Sequence, residues 1–426
     1  MSQRPLWAPS RRPNTVHMSS APPREATKPP RFAAASLIAL IFLNMLGFGI
    51  VVPLLPFYAK SFDAPPWQIA LIFSAFSVGT FFGEPFWGKL SDRYGRKPLL
   101  IMTIVANGLC YLALAFAPTA WAAFGIRLLG GLFSGNGSVI QGYIADVTPP
   151  ERRTRAMSYQ SAAWNVGLIV GPSMGGLFAR PEAGPLGFQL PLFISAGLFA
   201  SCALGIALFI RESRARDTSG RRQPSRWRAT GEAARHPVIG KLMLVTFLVG
   251  FAFTGVESIF GLWAQARYGW GPREVGVAFA FAGAASALTQ MTVAGPLAER
   301  FGQGRMLAFG MAVTMICLAL QPLVPVGPAT IVLMSLSAVG QSVAWPNVSA
   351  MISEAADPHR QGQVLGLNNA MSALARVIGP FCAGLSFAGL TIHAPFLQGA
   401  LAVAPAIWLA LAAGEIARRQ RGGAAR

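Results

Sequence analysis

Sixteen acidic residues occupy this 426-residue chain, and only Glu84 and Glu257 fall well inside long apolar stretches. A carboxyl group in such surroundings is costly to keep charged, so it is retained for a task, usually carrying a proton or pairing with a cation. Arg127 and Arg376 are the two basic residues similarly placed. The first chemistry these residues suggest is proton carriage by Glu84 or Glu257, with Arg127 at a depth similar to that of Glu257. The alternative is a permanent structural pair of Glu257 with Arg127 or Arg376, and of Glu84 with a nearby polar cluster. Enzymatic chemistry has little to work with. His17, His236, His359 and His393 are scattered and none lies deep in an apolar stretch, while Cys110, Cys202, Cys317 and Cys382 show no metal-ligand spacing.

The elements that must position these groups are membrane spans. The chain is 53% hydrophobic and 12% charged, with a mean hydropathy of +0.48, a balance that suits a bilayer rather than water. A spanning helix needs roughly 20 mostly apolar residues. Twelve such stretches are expected: 34–59, 67–90, 98–117, 119–145, 156–179, 187–210, 238–265, 272–296, 304–322, 328–352, 362–388 and 391–415, called spans 1 to 12 below. Turn-forming runs such as Ala117–Ala120 and Pro325–Pro328 separate neighbours that hydropathy alone would fuse. The fold class is therefore all-α integral membrane.

The net charge of +19 would fit a nucleic-acid binder, but the placement of the basic residues favours topology. With the N-terminus inside, 29 of the 35 Lys and Arg fall on the cytoplasmic side and only Lys60, Arg180, Arg267 and Arg273 on the other. That asymmetry is the positive-inside pattern, and it puts both termini in the cytoplasm. Residues 1–33, rich in Pro and Arg, read as a disordered tail with Met18 as a second possible start. Residues 34–210 and 238–417 read as two six-helix bundles, 211–237 as a basic linker and 418–426 as a basic tail.

The halves are copies. Gly88, Leu90, Asp92, Arg93, Tyr94, Gly95 and Leu100 match Gly295, Leu297, Glu299, Arg300, Phe301, Gly302 and Leu307 at a constant offset of 207. The glycines allow close helix approach and a tight turn, and Asp92 at a helix end is placed to pair with basic groups or meet another helix terminus. Asp146, at the end of span 4, has Glu354 as its repeat mate.

Twelve spans in two repeated sixes, with Gly88-x-Leu90-x-Asp92-Arg93-x-Gly95-Arg96-Lys97 between spans 2 and 3, resemble the major facilitator superfamily of transporters. The resemblance covers nearly everything beyond residue 33. It implies that Gly88, Asp92, Arg93, Gly95, Arg96 and Asp146 form a conformational latch on the cytoplasmic side. Span 5 carries Gly167, Gly171, Pro172, Gly175 and Gly176, a pattern similar to that of drug:proton antiporters. Span 11 repeats Gly379-Pro380 at an offset of 208 but has Ala375 in the leading glycine's place. The run Leu46–Pro56 in span 1 is also similar to tetracycline and multidrug exporters. One departure is Asn44, where several of those exporters place an aspartate; an amide carries no proton.

The resemblance implies a secondary transporter, expected to be a proton-coupled antiporter exporting a drug-like or amphipathic small molecule, with a proton symporter or uniporter for a metabolite as the alternative. It should work in a bacterial inner membrane as a monomer, without enzymatic activity, nucleic acid, metal or bound cofactor, and draw its energy from the proton gradient. The resemblance places spans 1, 4, 7 and 10 around the central cavity, so Arg127 is expected to face Glu257 across the halves, and cavity walls are expected from Asn44, Phe48, Asn136, Gln141, Trp263, Gln341, Trp345 and Asn347.

Overall fold

A computed structural model describes residues 33–148, 153–213, 236–356 and 361–424. The expected tail up to residue 32, Met18, and linker residues 214–235 lie outside the described residues. Every regular element among the described residues is helical.

Span 1 is Ala33–Val51 continued by a 3-10 turn, Val52–Leu54, and Leu55–Lys60; the break comes where Pro53 and Pro56 remove backbone donors. Span 2 is Pro66–Tyr94, span 3 Arg96–Leu114, span 5 Arg153–Phe178 and span 6 Gln189–Phe209. Span 4 is split into Ala120–Ser134 and Gly137–Val147. Span 7 is Ile239–Tyr268, span 8 Pro272–Thr292 followed by Ala294–Phe301, and span 9 Gln303–Leu320. Spans 10, 11 and 12 are Gly327–Ala355, Gln361–Gly389 and Ala394–Ala424, so the last helix runs on past the expected boundary at 417. Among the described residues, ten helical stretches are long and apolar enough to cross a membrane. Span 4 is broken at Gly135–Asn136, and span 5 counts only as the shorter apolar piece Ile169–Phe178.

The repeated signature owes its sharp turns to glycine. Gly95 and Gly302 sit at φ +101° and +87°, each ending one helix and starting the next within a single residue. An L side chain is strained in that region, so the two positions are tied to glycine by the turn itself.

Packing repeats with the sequence. Span 1 lies on spans 5 and 6 as span 7 lies on 11 and 12; span 2 lies on 4 as 8 on 10; and span 3 on 6 as 9 on 12. The halves then join through two equivalent seams, span 2 on span 11 and span 5 on span 8. Close approaches between the halves, along these seams and between spans 1 and 7, occur at the end of the bundle opposite the termini. Gly384 abuts Ala70 and Pro66, Gly176 abuts Pro272, Gly261 receives Phe57, and Lys60 Nζ donates to Gln265 Oε1 at 2.7 Å.

Candidate functional site

At the termini-bearing end, Arg96 is nearly buried and gathers the charged cluster. Its Nη2 lies 2.8 Å from Asp92 Oδ1, its Nε 3.4 Å from Asp146 Oδ2, and its Nη1 donates to Ser91 Oγ at 2.7 Å. Span 3 starts at Arg96, so its first backbone N–H groups need acceptors. Glu212 supplies them from just beyond span 6: its carboxylate accepts from the N–H groups of Arg96 (2.8 Å) and Lys97 (3.1 Å), favourably placed at a positive helix end. Ser213 Oγ donates to Asp146 Oδ2, and Tyr143 Oη to the Arg211 carbonyl, so the start of the linker is fastened to the cluster. A Cβ at Gly95 would lie 2.5 Å from the Glu212 carboxylate, which would have to shift from its place at the start of span 3. Gly88 brings span 2 against Ser138, and exposed Arg93 lies over the Tyr94 ring, away from Arg96.

The second half keeps the same joint without the charge pair: Gln303, at the position of Arg96, donates to Glu354 at 2.9 Å. All the described contacts of Arg96 lie within the first half. Arg96→Ala would remove the guanidinium that Asp92 and Asp146 share, and should cost about 2 kcal/mol. A thermal melt in detergent checks this; an unchanged melting temperature would refute the assignment.

Span 5 explains its glycines by contact. A Cβ at Gly167 would lie 2.7 Å from Met45 Cβ, one at Gly171 2.6 Å from the Gly49 carbonyl carbon, and Gly175 abuts the Ile50 carbonyl. This face seats span 5 on the backbone of span 1. Gly176 turns the other way, onto span 8, and Gly276 of span 8 approaches the Pro172 carbonyl within 2.6 Å of its would-be Cβ.

A cavity of about 200 Å³ lies between the halves. Val52, Ile169 and Pro172 come from the first half; Phe253, Phe260, Phe279 and Phe396 make much of the rest apolar and aromatic. The polar groups on its wall are Ser286, Gln321, Ser337, Gln341 and one carboxylate, Glu257. Of the eight residues expected to line a cavity, Gln341 does so. The other seven are placed elsewhere for physical reasons. Trp263 is fully buried against Phe396, with its indole N–H donated to His393. Asn136 donates to Thr103 Oγ1 and Asn347 to the Val343 carbonyl one turn back. Phe48 packs on Phe76, Asn44 is buried, and Gln141 and Trp345 are exposed outside the cavity wall.

Arg127 does not face Glu257. It is buried inside the first half, with its guanidinium 4.3 Å over the Phe76 ring and beside Tyr111 and Cys110. The charged neighbour of Glu257 is Arg376 of span 11, which also lies in electrostatic reach of Glu84. Glu84 is half-buried on span 2, next to Gly137 of span 4.

At the opposite end, Trp263 Nε1 donates to His393 Nδ1 at 3.1 Å, so that nitrogen must be unprotonated. Burial first, and then the nearby Arg267 cation, hold the His393 imidazole below its usual range. A group whose folded value is depressed stabilises the fold above its unfolded value, about 6.5 for histidine, and loses that contribution as pH falls. The melting temperature should therefore drop on acidification below about pH 6.5, and less so in His393→Gln, which can accept without titrating. Parallel pH profiles for the two proteins would overturn this.

Comparison with known proteins agrees with this architecture. The family model described as Major Facilitator Superfamily matches residues 37–380 and 242–424. Multidrug resistance protein 2 of Bacillus subtilis (strain 168) is 26% identical over 367 residues, 85% of this chain and 90% of that protein. Tetracycline resistance protein, class C, of Escherichia coli is 27% identical over 81% of this chain and 87% of its own length. Among solved structures, the nucleoside transporter NupG superposes with a TM-score of 0.71 at 14% identity, over 89% of this chain and 98% of that one. The human organic anion transporter MFSD10 (TETRAN) does so at 0.68 and 22%, over 90% and 100%. Duplicated six-span halves, a glycine-turned charged joint and a cavity at their seam thus coincide with a match along nearly the whole described chain, and the protein belongs to the Major Facilitator Superfamily.

Proposed function

We propose that this membrane transporter exports amphipathic, preferentially cationic aromatic molecules in exchange for protons, by alternating access. The observation that carries the reading is Glu257, among the described residues the one titratable side chain on the wall of a largely apolar, phenylalanine-rich cavity between the halves. A carboxylate there attracts a proton or an organic cation, and a site that holds one at a time exchanges them. The likeness to multidrug and tetracycline resistance proteins supports the same reading.

The termini-bearing end is assigned to the cytoplasm of a bacterial inner membrane, following the excess of Lys and Arg at that end. The close contacts between the halves at the far end support reading this conformation as inward-facing. One chain, as a monomer with no bound cofactor, supplies the whole pathway.

The test is accumulation of ethidium and of tetracycline in an efflux-deficient bacterium expressing the chain, with and without a protonophore. Lower accumulation that the protonophore abolishes supports the proposal. Unchanged accumulation across a broad panel, with membrane expression verified, refutes drug export and turns attention to a metabolite symporter.

A further inference from the structure

Span 11 carries an arginine near its middle, at the seam where the two halves meet. One face of the helix is pressed onto span 7: Gly379 abuts the Phe251 carbonyl, and Thr254 Oγ1 lies 3.3 Å from the Ala375 carbonyl. The residue after the arginine is bound to the other half, since Ser74 Oγ of span 2 donates to the Val377 carbonyl at 2.8 Å. Arg376 between them is exposed, although Ala375 and Gly379 beside it are buried.

Its charged neighbours belong to different halves, Glu84 on span 2 and Glu257 on span 7. Arg376 is in turn the charged group acting on each of them. Among the described residues it forms no ion pair within 4.0 Å with either. The other helices on the cavity wall, spans 1, 5, 8, 9, 10 and 12, put no titratable side chain there. One cation thus lies in electrostatic reach of two carboxylates. Glu84 lies nearer the termini than the Ser74 hydrogen bond, and Glu257 lies at the cavity.

We propose that Arg376 is the coupling residue: held toward Glu257 while that carboxylate is empty and charged, and released to Glu84 across the halves when a proton or a cationic substrate neutralises Glu257. The inference rests on the exchange reading above. Pairing with Glu84 makes closure of the termini side conditional on a neutralised Glu257; without Arg376 the halves close whether or not the site is loaded, so losing the arginine uncouples transport rather than stopping it. Either ligand licenses the same closure, and the empty site does not. That is the condition for obligatory exchange: an unloaded transporter that cannot turn over does not leak. Arg376 acts through Glu257 and Glu84 and is a positioning residue.

Two measurements test it on the full-length protein. The first uses proteoliposomes with tetraphenylphosphonium as the probe. Arg376→Gln should lower pH-gradient-driven accumulation by roughly tenfold or more while downhill probe movement persists, and Arg376→Lys should keep coupling. A merely structural arginine would instead lower both fluxes together, and that result would overturn the proposal.

The second needs no transport. Spin labels at the exposed positions Lys89 and Arg305, on the termini-bearing ends of the two halves, report the opening as a distance distribution at acid and alkaline pH. The wild type should shift with pH, and Arg376→Gln and Glu84→Gln should each lose the shift. A shift that survives in both variants overturns the proposal. If the wild type carries no proton-driven flux with any probe, the exchange reading fails by itself, and the spin-label result still decides the role of Arg376.

Discussion

Glu257→Gln should abolish proton-driven export, lowering gradient-driven flux of a cationic probe by at least about a hundredfold. The amide keeps the size and hydrogen-bonding capacity of the carboxyl on the cavity wall but neither takes up nor releases a proton. The phenylalanines that would hold an aromatic ligand are untouched, so a neutral amphipathic probe should still bind. Flux of that probe should lose its dependence on pH. Vesicle flux measured with and without an imposed gradient checks this; a variant within about threefold of wild type would remove Glu257 from the mechanism. Glu84→Gln gives a graded comparison, because Glu84 lies off the cavity wall.

The largest structural effect is expected from one added methyl group. In Gly175→Ala the new Cβ would press on the Ile50 carbonyl oxygen and lie 3.1 Å from its carbon, and neither backbone can yield without parting spans 1 and 5. Overpacking of this kind costs about 1–3 kcal/mol where side chains can adjust, and more against backbone. The variant should show a sharp fall in monodisperse yield and in melting temperature. Gly197→Ala in span 6, where nothing lies within 4 Å of the added atom, is the matched control. A Gly175→Ala protein that melts within about 2 °C of wild type would show that the seam is loose.

The fold was legible because a bilayer permits few solutions. Long apolar runs have to be helices that satisfy their own backbone groups, and the repeated charged signature marks where the halves begin again. Side-chain neighbours were harder. Glu212 is a single acid in a basic run, with no spacing signal that it would reach back to the start of span 3. Arg127 and Arg376 look alike in sequence, yet Arg127 is absorbed by Phe76 and Tyr111 inside one half and Arg376 stands at the seam. Hydropathy gives depth along a helix but little about direction around it in a uniformly apolar span. For the same reason residues were chosen for the cavity by type, and Trp263, Asn136 and Asn347 turned out to spend their polar atoms in local packing. The phenylalanines that do line it were indistinguishable from those facing lipid.

The pairing of span 1 with span 5 returns as span 7 on span 11, with one exchange of parts. Gly49 meets Gly171 as Gly255 meets Gly379, but where span 5 has Gly167, span 11 has Ala375, and the room is made by Gly250 on the facing helix. The void has changed sides while the approach of the two backbones has been kept. The heritable module of this protein is therefore the facing couple of helices: a chimera that transplants span 5 into the second half alone would meet the wrong partner, whereas moving both members together carries the fit with them.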